Sequence, residues 1–263
     1  MKNIPDILKK IVETKKIEIL EVVKDIRRFK QEAAVQKFPL NFKKAIYPSP
    51  KERTIVAEIK RASPSVGIIS TSFNPPTIAV EYERGGANAV SVLTDRKYFK
   101  GNNVYLREVK RNIDIPVLRK DFIIAPEQII ESRAIGADSF LLISTILSTT
   151  QLSEFILMGR EFNMEPLVEI HDEYDLEKAI EADADIIGIN NRNLCNFTVN
   201  TETTGKLVPL IPSNKIIVAE SGITSLEIAA QLYNDGANSL LVGEYLMQSE
   251  NKAKMVYQIK NSV

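Results

Sequence analysis

Glu58 and Lys60 are the two charged side chains in an otherwise apolar run, Thr54-Ile-Val-Ala-Glu-Ile-Lys60. In a strand, residues two apart share a face. The carboxylate and the ammonium therefore project together with Val56, while Ile55, Ala57 and Ile59 point the other way. Charges are rarely buried without a partner or a task. The same texture recurs downstream. Lys120 sits beside Asp121 at the end of Val117-Leu-Arg-Lys-Asp121, and Glu169 falls near the end of Leu167-Val-Glu-Ile170. Asn190 and Arg192 fall in Gly188-Ile-Asn-Asn-Arg192, and Glu220 in Val218-Ala-Glu-Ser-Gly222. Carboxylates, ammonium groups and an amide at the ends of separate apolar runs are equipment for proton transfer. Any one of them is explained by a structural ion pair; a converging set is not. Ser63 in Arg61-Ala-Ser-Pro-Ser65, then Gly67, Ser221-Gly222 and Gly243-Glu244, add hydroxyls and close backbone approach. That combination suits a phosphate.

The elements that must aim these residues are legible as a rhythm. Short runs rich in Val, Ile and Leu occupy 54–60, 89–94, 116–121, 139–144, 166–170, 186–190, 215–220 and 239–243. Stretches of helical period lie between them, at 76–84, 126–135, 152–162, 173–181 and 225–234. Strands alternating with helices imply parallel pairing through crossovers. A repeat supports the count: Gly86-Ala-Asn-Ala-Val, Gly136-Ala-Asp-Ser-Phe, Asp183-Ala-Asp-Ile-Ile and Gly236-Ala-Asn-Ser-Leu recur about every 50 residues. Each sits where a helix ends and a strand begins, a position that favours a residue able to adopt positive φ. Asp183 is the weakest match, although Asp tolerates that conformation better than most residues. Four copies, each spanning two βα units, give a (β/α)8 barrel over 51–263, with a doubly wound open sheet as the alternative. In such a barrel the strand C-termini build the active site. Residues 1–50 form an amphipathic helical extension carrying Ile7, Leu8, Ile11, Ile17, Leu20, Val23 and Ile26. It is expected to cap one end of the barrel, or else to cover the site.

Lys plus Arg and Asp plus Glu both total 34, so no global field favours nucleic acid or an anionic membrane. Hydrophobic residues at 44% and charged residues at 26% suit a soluble globular protein. Neither a membrane span nor an apolar signal core is evident. Cys195 is the sole cysteine and cannot close an internal disulfide, as in a reducing compartment. The expected location is the cytoplasm.

Taken in order, Ala57-Glu-Ile-Lys-Arg-Ala-Ser-Pro-Ser65, Leu118-Arg-Lys-Asp-Phe122, Val168-Glu-Ile-His171, Ile189-Asn-Asn-Arg-Asn-Leu194, Ala219-Glu-Ser-Gly-Ile223 and Leu241-Val-Gly-Glu244 resemble the successive motifs of the indole-3-glycerol-phosphate synthase family. The likeness covers nearly the whole chain. It implies a decarboxylating, dehydrating ring closure of 1-(2-carboxyphenylamino)-1-deoxyribulose 5-phosphate in tryptophan biosynthesis, without a cofactor. No metal is called for, and no His/Cys cluster is present to bind one. By the resemblance, Lys120 is the general acid that protonates the ribulose carbonyl oxygen. Glu169 and Lys60 serve proton transfer in the later dehydration, and Glu58 orients Lys60. Asn190 and Glu220 hold sugar hydroxyls while Arg192 helps position the substrate. Ser63, Ser221, Gly222 and Gly243, beside Glu244, face the phosphate. Phe99, Phe122, Leu141 and Leu194 form the apolar slot for the anthranilate ring. Desolvation would lower the pKa of Lys120 from about 10.4, and three carboxylates would raise it; the sequence leaves the direction open.

Asn193 stands where the family usually has Asp, Val66 where Lys is common, and Tyr245 where a small residue is usual. None removes a proton-transfer group. Two other readings remain: a barrel in which Lys120 is a Schiff-base nucleophile, and one that only binds a phosphorylated ligand. His171, the lone histidine, is expected in a structural, hydrogen-bonded role at the start of a helix, and Cys195 is expected to be inert. Lys97–Lys100 is expected to be a solvated loop presenting Phe99 to a ligand, not a nucleic-acid patch.

Overall fold

Alternation along each apolar run does what the spacing requires of it, turning one set of side chains toward a common axis and the other toward a shell of helices. The computed structural model describes residues 4–47, 49, 52–64, 66–69 and 73–262. Eight parallel strands close into a barrel: β1 Thr54–Ile59, β2 Ala89–Leu93, β3 Val117–Lys120, β4 Ser139–Ile143, β5 Leu167–Ile170, β6 Ile186–Asn190, β7 Ile216–Glu220 and β8 Ser239–Val242. β1 pairs with both β2 and β8, which closes the ring and excludes an open doubly wound sheet. One apolar cluster takes a member from every strand: Val56, Ala89, Leu118, Leu141, Leu167, Ile186, Val218 and Leu241. The opposite set, including Ile55, Ala57 and Ile59, packs with Val90, Phe140, Val168 and Ile187 in the larger core under the helices.

The repeat marks the helix-to-strand turns before β2, β4, β6 and β8. Gly86, Gly136, Asp183 and Gly236 all take positive φ, Asp183 at 59°. The Asn or Asp two residues on reaches back to the preceding strand. Asn88 Oδ1 accepts from Ile55 N–H at 3.3 Å, Asp138 Oδ2 from Val117 N–H at 2.7 Å and Asn238 Oδ1 from Ile217 N–H at 2.7 Å. Asp185 is instead held by Lys43 at 2.6 Å. Three of the four repeats thus tie an even-numbered strand to the odd-numbered one before it.

The extension forms α1 Asp6–Lys24, α2 Ile26–Val35 and α3 Phe42–Ile46. It both caps and covers. α3 seals the strands' N-terminal end, with Phe42 and Ile46 buried in the axial cluster and Ile46 O accepting from Thr54 Oγ1 at 2.6 Å. α1 crosses the opposite mouth and drives Leu8 and Ile11 into the same cluster. The expected boundary at 50/51 falls on positions outside the described residues. The apolar stripe read from the sequence is buried only in its first half: Ile17 and Leu20 are 70% and 60% exposed, whereas Lys15 is buried.

The crossover helices are α4 Pro75–Arg84, α5 Arg96–Phe99, α6 Asn103–Lys110, α7 Pro126–Ala134, α8 Thr149–Glu161, α9 Glu173–Glu181, α10 Glu202–Leu207, α11 Leu226–Asn234, α12 Glu244–Gln248 and α13 Lys252–Lys260. The five expected stretches match α4, α7, α8, α9 and α11 to within a few residues. Phe99 belongs to the one-turn helix α5 and not to a loop; Asp95 caps that turn and Lys100 ends it at φ 55°. On β3, Arg119 shares the outward parity of Val117. The buried guanidinium is met by Glu131 at 2.7 Å, Gln128 O and Ser132 Oγ at 3.1 Å and Asp121 at 3.3 Å. Gln128, Glu131 and Ser132 sit on α7, nine to thirteen residues further on, so nothing local to β3 announces the network.

Candidate active site

Three carboxylates and two ammonium groups leave their strands at the barrel's C-terminal mouth. Lys120 ends β3, and its Nζ donates to Glu169 Oε2 on β5 at 3.0 Å and to Glu220 Oε2 on β7 at 2.5 Å. Lys60, just past β1, pairs with Glu58 Oε1 at 2.8 Å. The register explains the meeting: Glu169 lies beside Gly188, and Asn190 beside Glu220, at the same height on neighbouring strands. Asn190 lies close enough to Glu169 to favour its ionised form. The lysines come from odd-numbered strands whose ends are far apart in sequence, yet both face the axis.

Glycine makes the room. A Cβ at Gly188 would stand 2.1 Å from Glu220 Oε1, and one at Gly243 2.4 Å from Glu58 Oε1 and 3.1 Å from Lys60 Nζ. Gly243→Ala is accordingly expected to displace the Glu58–Lys60 pair. The expected loss in kcat/KM is about a hundredfold, the scale set by a misplacement near 1 Å. Steady-state kinetics alongside an unchanged circular-dichroism spectrum check it. At the exit of β7, Ser221 and Gly222 take φ 64° and 82° in succession. A Cβ at Gly222 would lie 2.5 Å from Val199 Cγ1, so both conformation and space demand glycine there.

Burial opposes every charge in the cluster, and the partners decide the outcome. Burial alone would strip Lys120 of its proton, but Glu220, Glu169 and Glu58 outweigh it and hold the ammonium above the ordinary lysine range. Burial likewise pushes Glu169 up; Lys120, His171 and Asn190 more than reverse this, so Glu169 stays ionised. Three carboxylates against two cations leave one carboxyl least compensated. It is Glu220, raised to about 7 by burial and by the neighbouring Glu169 and Glu58 against the pull of Lys120. Between the ordinary value of 4.5 and about 7, folded Glu220 keeps a proton that the unfolded chain has released. Stability from this group therefore falls as pH rises through that window. Glu220→Gln is expected to flatten the melting temperature across it and to remove a break near pH 7 from the kcat/KM profile.

A cavity of about 1070 Å³ opens above this floor, and every site residue that the family resemblance implies lines it. Phe99 and Phe122, with ring centroids 6.0 Å apart, join Leu141 and Leu194 on its apolar side. Ile7, Leu8 and Ile11 of α1 roof that side, a contribution the sequence did not assign to particular side chains. Ser63, Ser221, Gly222, Gly243 and Glu244 lie at the polar rim, and Arg192 lines it with its Nη1 donating to Phe197 O at 3.3 Å. Of the three departures from the family pattern, Val66 and Tyr245 reach the cavity. Asn193 is used in a loop turn, its Oδ1 accepting from Cys195 N–H at 2.8 Å. Two residues of the segment around Ser63 lie away from the cavity. Arg61 lies over the Phe73 ring, 6.0 Å away, outside the cavity lining. Gly67 lies on the exposed strand of a hairpin that pairs Gly67–Ile68 with the buried Ala62–Ser63. Ser65 lies outside the described residues. His171 is packed behind Glu169 as a hydrogen-bonded loop residue, Nδ1 3.2 Å from Thr145 Oγ1 and Nε2 3.5 Å from Glu169 Oε1. Cys195 is exposed with a free thiol.

Residues 8–259 match the family model described as indole-3-glycerol phosphate synthase. Curated proteins named indole-3-glycerol phosphate synthase resemble the chain closely. The one from Aliarcobacter butzleri is 43% identical over 256 residues, covering 90% of this chain and 97% of that protein. The one from Endomicrobium trichonymphae is 44% identical over 97% of this chain and 100% of that protein. The one from Campylobacter jejuni (strain 81-176) is 48% identical over 82% and 84%. Among solved structures, a chain of a cube-shaped protein cage designed by fusing symmetric oligomeric domains aligns with a TM-score of 0.58 at 16% identity. It covers 80% of this chain and 71% of that one, a likeness of fold alone. The match spans barrel and extension alike, and the chain belongs to the indole-3-glycerol phosphate synthase family.

Proposed function

We infer that the chain closes the indole ring of 1-(2-carboxyphenylamino)-1-deoxyribulose 5-phosphate, yielding indole-3-glycerol phosphate, carbon dioxide and water. The observation that carries this is the ammonium of Lys120, held between Glu169 and Glu220 on the floor of a cavity with an apolar side and a serine–glycine rim.

Ring closure joins the aromatic carbon bearing the carboxylate to the ribulose carbonyl carbon, and the π electrons move onto the carbonyl oxygen. A protonated Lys120 at that oxygen stabilises the developing charge and then supplies the proton. Its carboxylate partners keep it charged and aimed before the substrate arrives. The bond to the carboxyl group then breaks, and its electron pair flows into the cationic nitrogen system formed by closure. Loss of hydroxide as water follows, which needs an acid at the departing oxygen and a base for a proton. Lys60, braced by Glu58, suits the first task; ionised Glu169 suits the second. Asn190 and Glu220 meet the sugar hydroxyls. The phosphate takes the rim of Ser63, Ser221, Gly222 and Gly243, beside Lys60. Phe99, Phe122, Leu141 and Leu194 flank the aryl ring.

A Schiff-base mechanism needs a neutral amine, and the carboxylates around Lys120 work against one. Borohydride treatment with substrate is expected to leave Lys120 unmodified. The decisive assay follows indole fluorescence from the carboxyphenylamino-deoxyribulose phosphate; the chain contains no tryptophan to mask it. Folded protein that yields no indole product would overturn the assignment. Among the described residues no helix is long and apolar enough to cross a membrane. A cytoplasmic location is part of the proposal, consistent with the exposed free thiol of Cys195.

A further inference from the structure

Of the buried residues of α1, Leu8, Ile11 and Lys15, the last carries a charge. Lys15 is 3% exposed, one turn beyond Ile11 on the same helix face. Its Nζ lies 2.9 Å from Asp95 Oδ2 at the exit of β2, 2.8 Å from Asp121 Oδ1 at the exit of β3, and 2.8 Å from Glu18 Oε2. Both aspartates are buried. Each also fixes the backbone of an aromatic residue in the cavity wall. Asp95 Oδ1 accepts from Phe99 N–H at 3.1 Å and from Tyr98 N–H at 2.7 Å. Asp121 Oδ1 accepts from Phe122 N–H at 2.8 Å. One ammonium therefore joins two carboxylates from which the two phenylalanines hang. The same helix carries Ile7, Leu8 and Ile11 onto the roof above them.

We propose that Lys15 is a positioning residue for the aryl end of the substrate, holding Phe99, Phe122 and the α1 roof in register as one slot for a flat aromatic carboxylate. The role rests on the cavity being the ring-closure site; Lys15 touches none of the reacting atoms. The pair is built to stay charged: burial works against the ammonium, and Asp121 and Asp95 outweigh it. Burial also works against Asp121, and Lys15 with Arg119 brings its carboxyl down to about 2. Breaking a buried pair of this kind leaves charge uncompensated next to the backbone it should hold.

The test separates the two ends of the cavity, with anthranilate as the aryl probe and inorganic phosphate as the other. Both dissociation constants are measured by calorimetry on the full chain, so neither depends on turnover. Lys15→Met is expected to weaken anthranilate about tenfold, the scale of a lost charge-assisted hydrogen bond, and to leave phosphate unchanged. Lys15→Arg, whose fork can also meet two carboxylates, is expected to recover most of the loss. Should Lys15→Met fail to fold, Asp95→Asn keeps the cap oxygen, removes the charge and reads the same split. Equal weakening of both probes, no weakening of either, or a wild-type chain that does not bind anthranilate overturns the role. Turnover of the full substrate, recorded on the same samples, tests the ring closure separately.

Discussion

Lys120→Met is expected to lower kcat by roughly a thousandfold, the range lost when a positioned acid and its charge are removed from a developing oxyanion. Carbon dioxide release and indole formation should fall together, because ring closure precedes both. The substitution also strands Glu169 and Glu220, two buried carboxylates that share this ammonium. Breaking such a network costs on the order of 3 kcal/mol while the carboxylates remain ionised. They can escape by taking up protons, so their folded pKa values rise above the unfolded ones. The folded variant then holds protons that the unfolded chain has lost, and its stability falls as pH rises. Melting temperatures at pH 5.5 and 8.5 should therefore lie further below wild type at the higher pH. An equal deficit at both would sink the electrostatic account, and near-wild-type kcat would sink the catalytic one.

Glu169→Gln is expected to cost roughly a hundredfold or more in indole formation, the usual scale for a lost general base. Its signature differs from that of Lys120→Met. Closure and decarboxylation need the Lys120 ammonium, which keeps Glu220 as its partner at 2.5 Å. Dehydration needs a proton acceptor. Single-turnover experiments should then release close to one equivalent of carbon dioxide per site well ahead of the indole signal. If carbon dioxide and indole appear in step, Glu169 acts before or during closure and its assignment to dehydration is wrong.

Much of this was legible in the chain. Alternation in Thr54–Ile59 places Glu58 on the axial face, because the pleat has a period of two whatever the tertiary context. The recurrent Gly-Ala-Asn/Asp turns marked the barrel, since helix ends there need positive φ and a side-chain oxygen to satisfy the preceding strand. The residues proposed for proton transfer were readable for a related reason: polar groups at strand ends break an apolar pattern and stand out.

Other features left no local trace. Ile17 and Leu20 continue the apolar period of α1 yet face solvent, while Lys15 within that stretch is buried. Periodicity reports which side chains share a face; it does not report which carboxylates wait opposite. Arg61 stands in the phosphate-like motif but turns to Phe73, while Ser63 two residues on reaches the cavity.

Eight βα units, strand-end residues facing one mouth and the family likeness are all readable along the chain, because they follow from short-range periods and local turn chemistry. Three outcomes needed the closed barrel: that Lys120 stays protonated, that Glu220, the least compensated carboxyl, holds its proton up to about pH 7, and that Lys15 unites the two aromatic walls. Each of those outcomes is a balance between burial and charges brought together from distant parts of the chain, and it exists only once the barrel has closed.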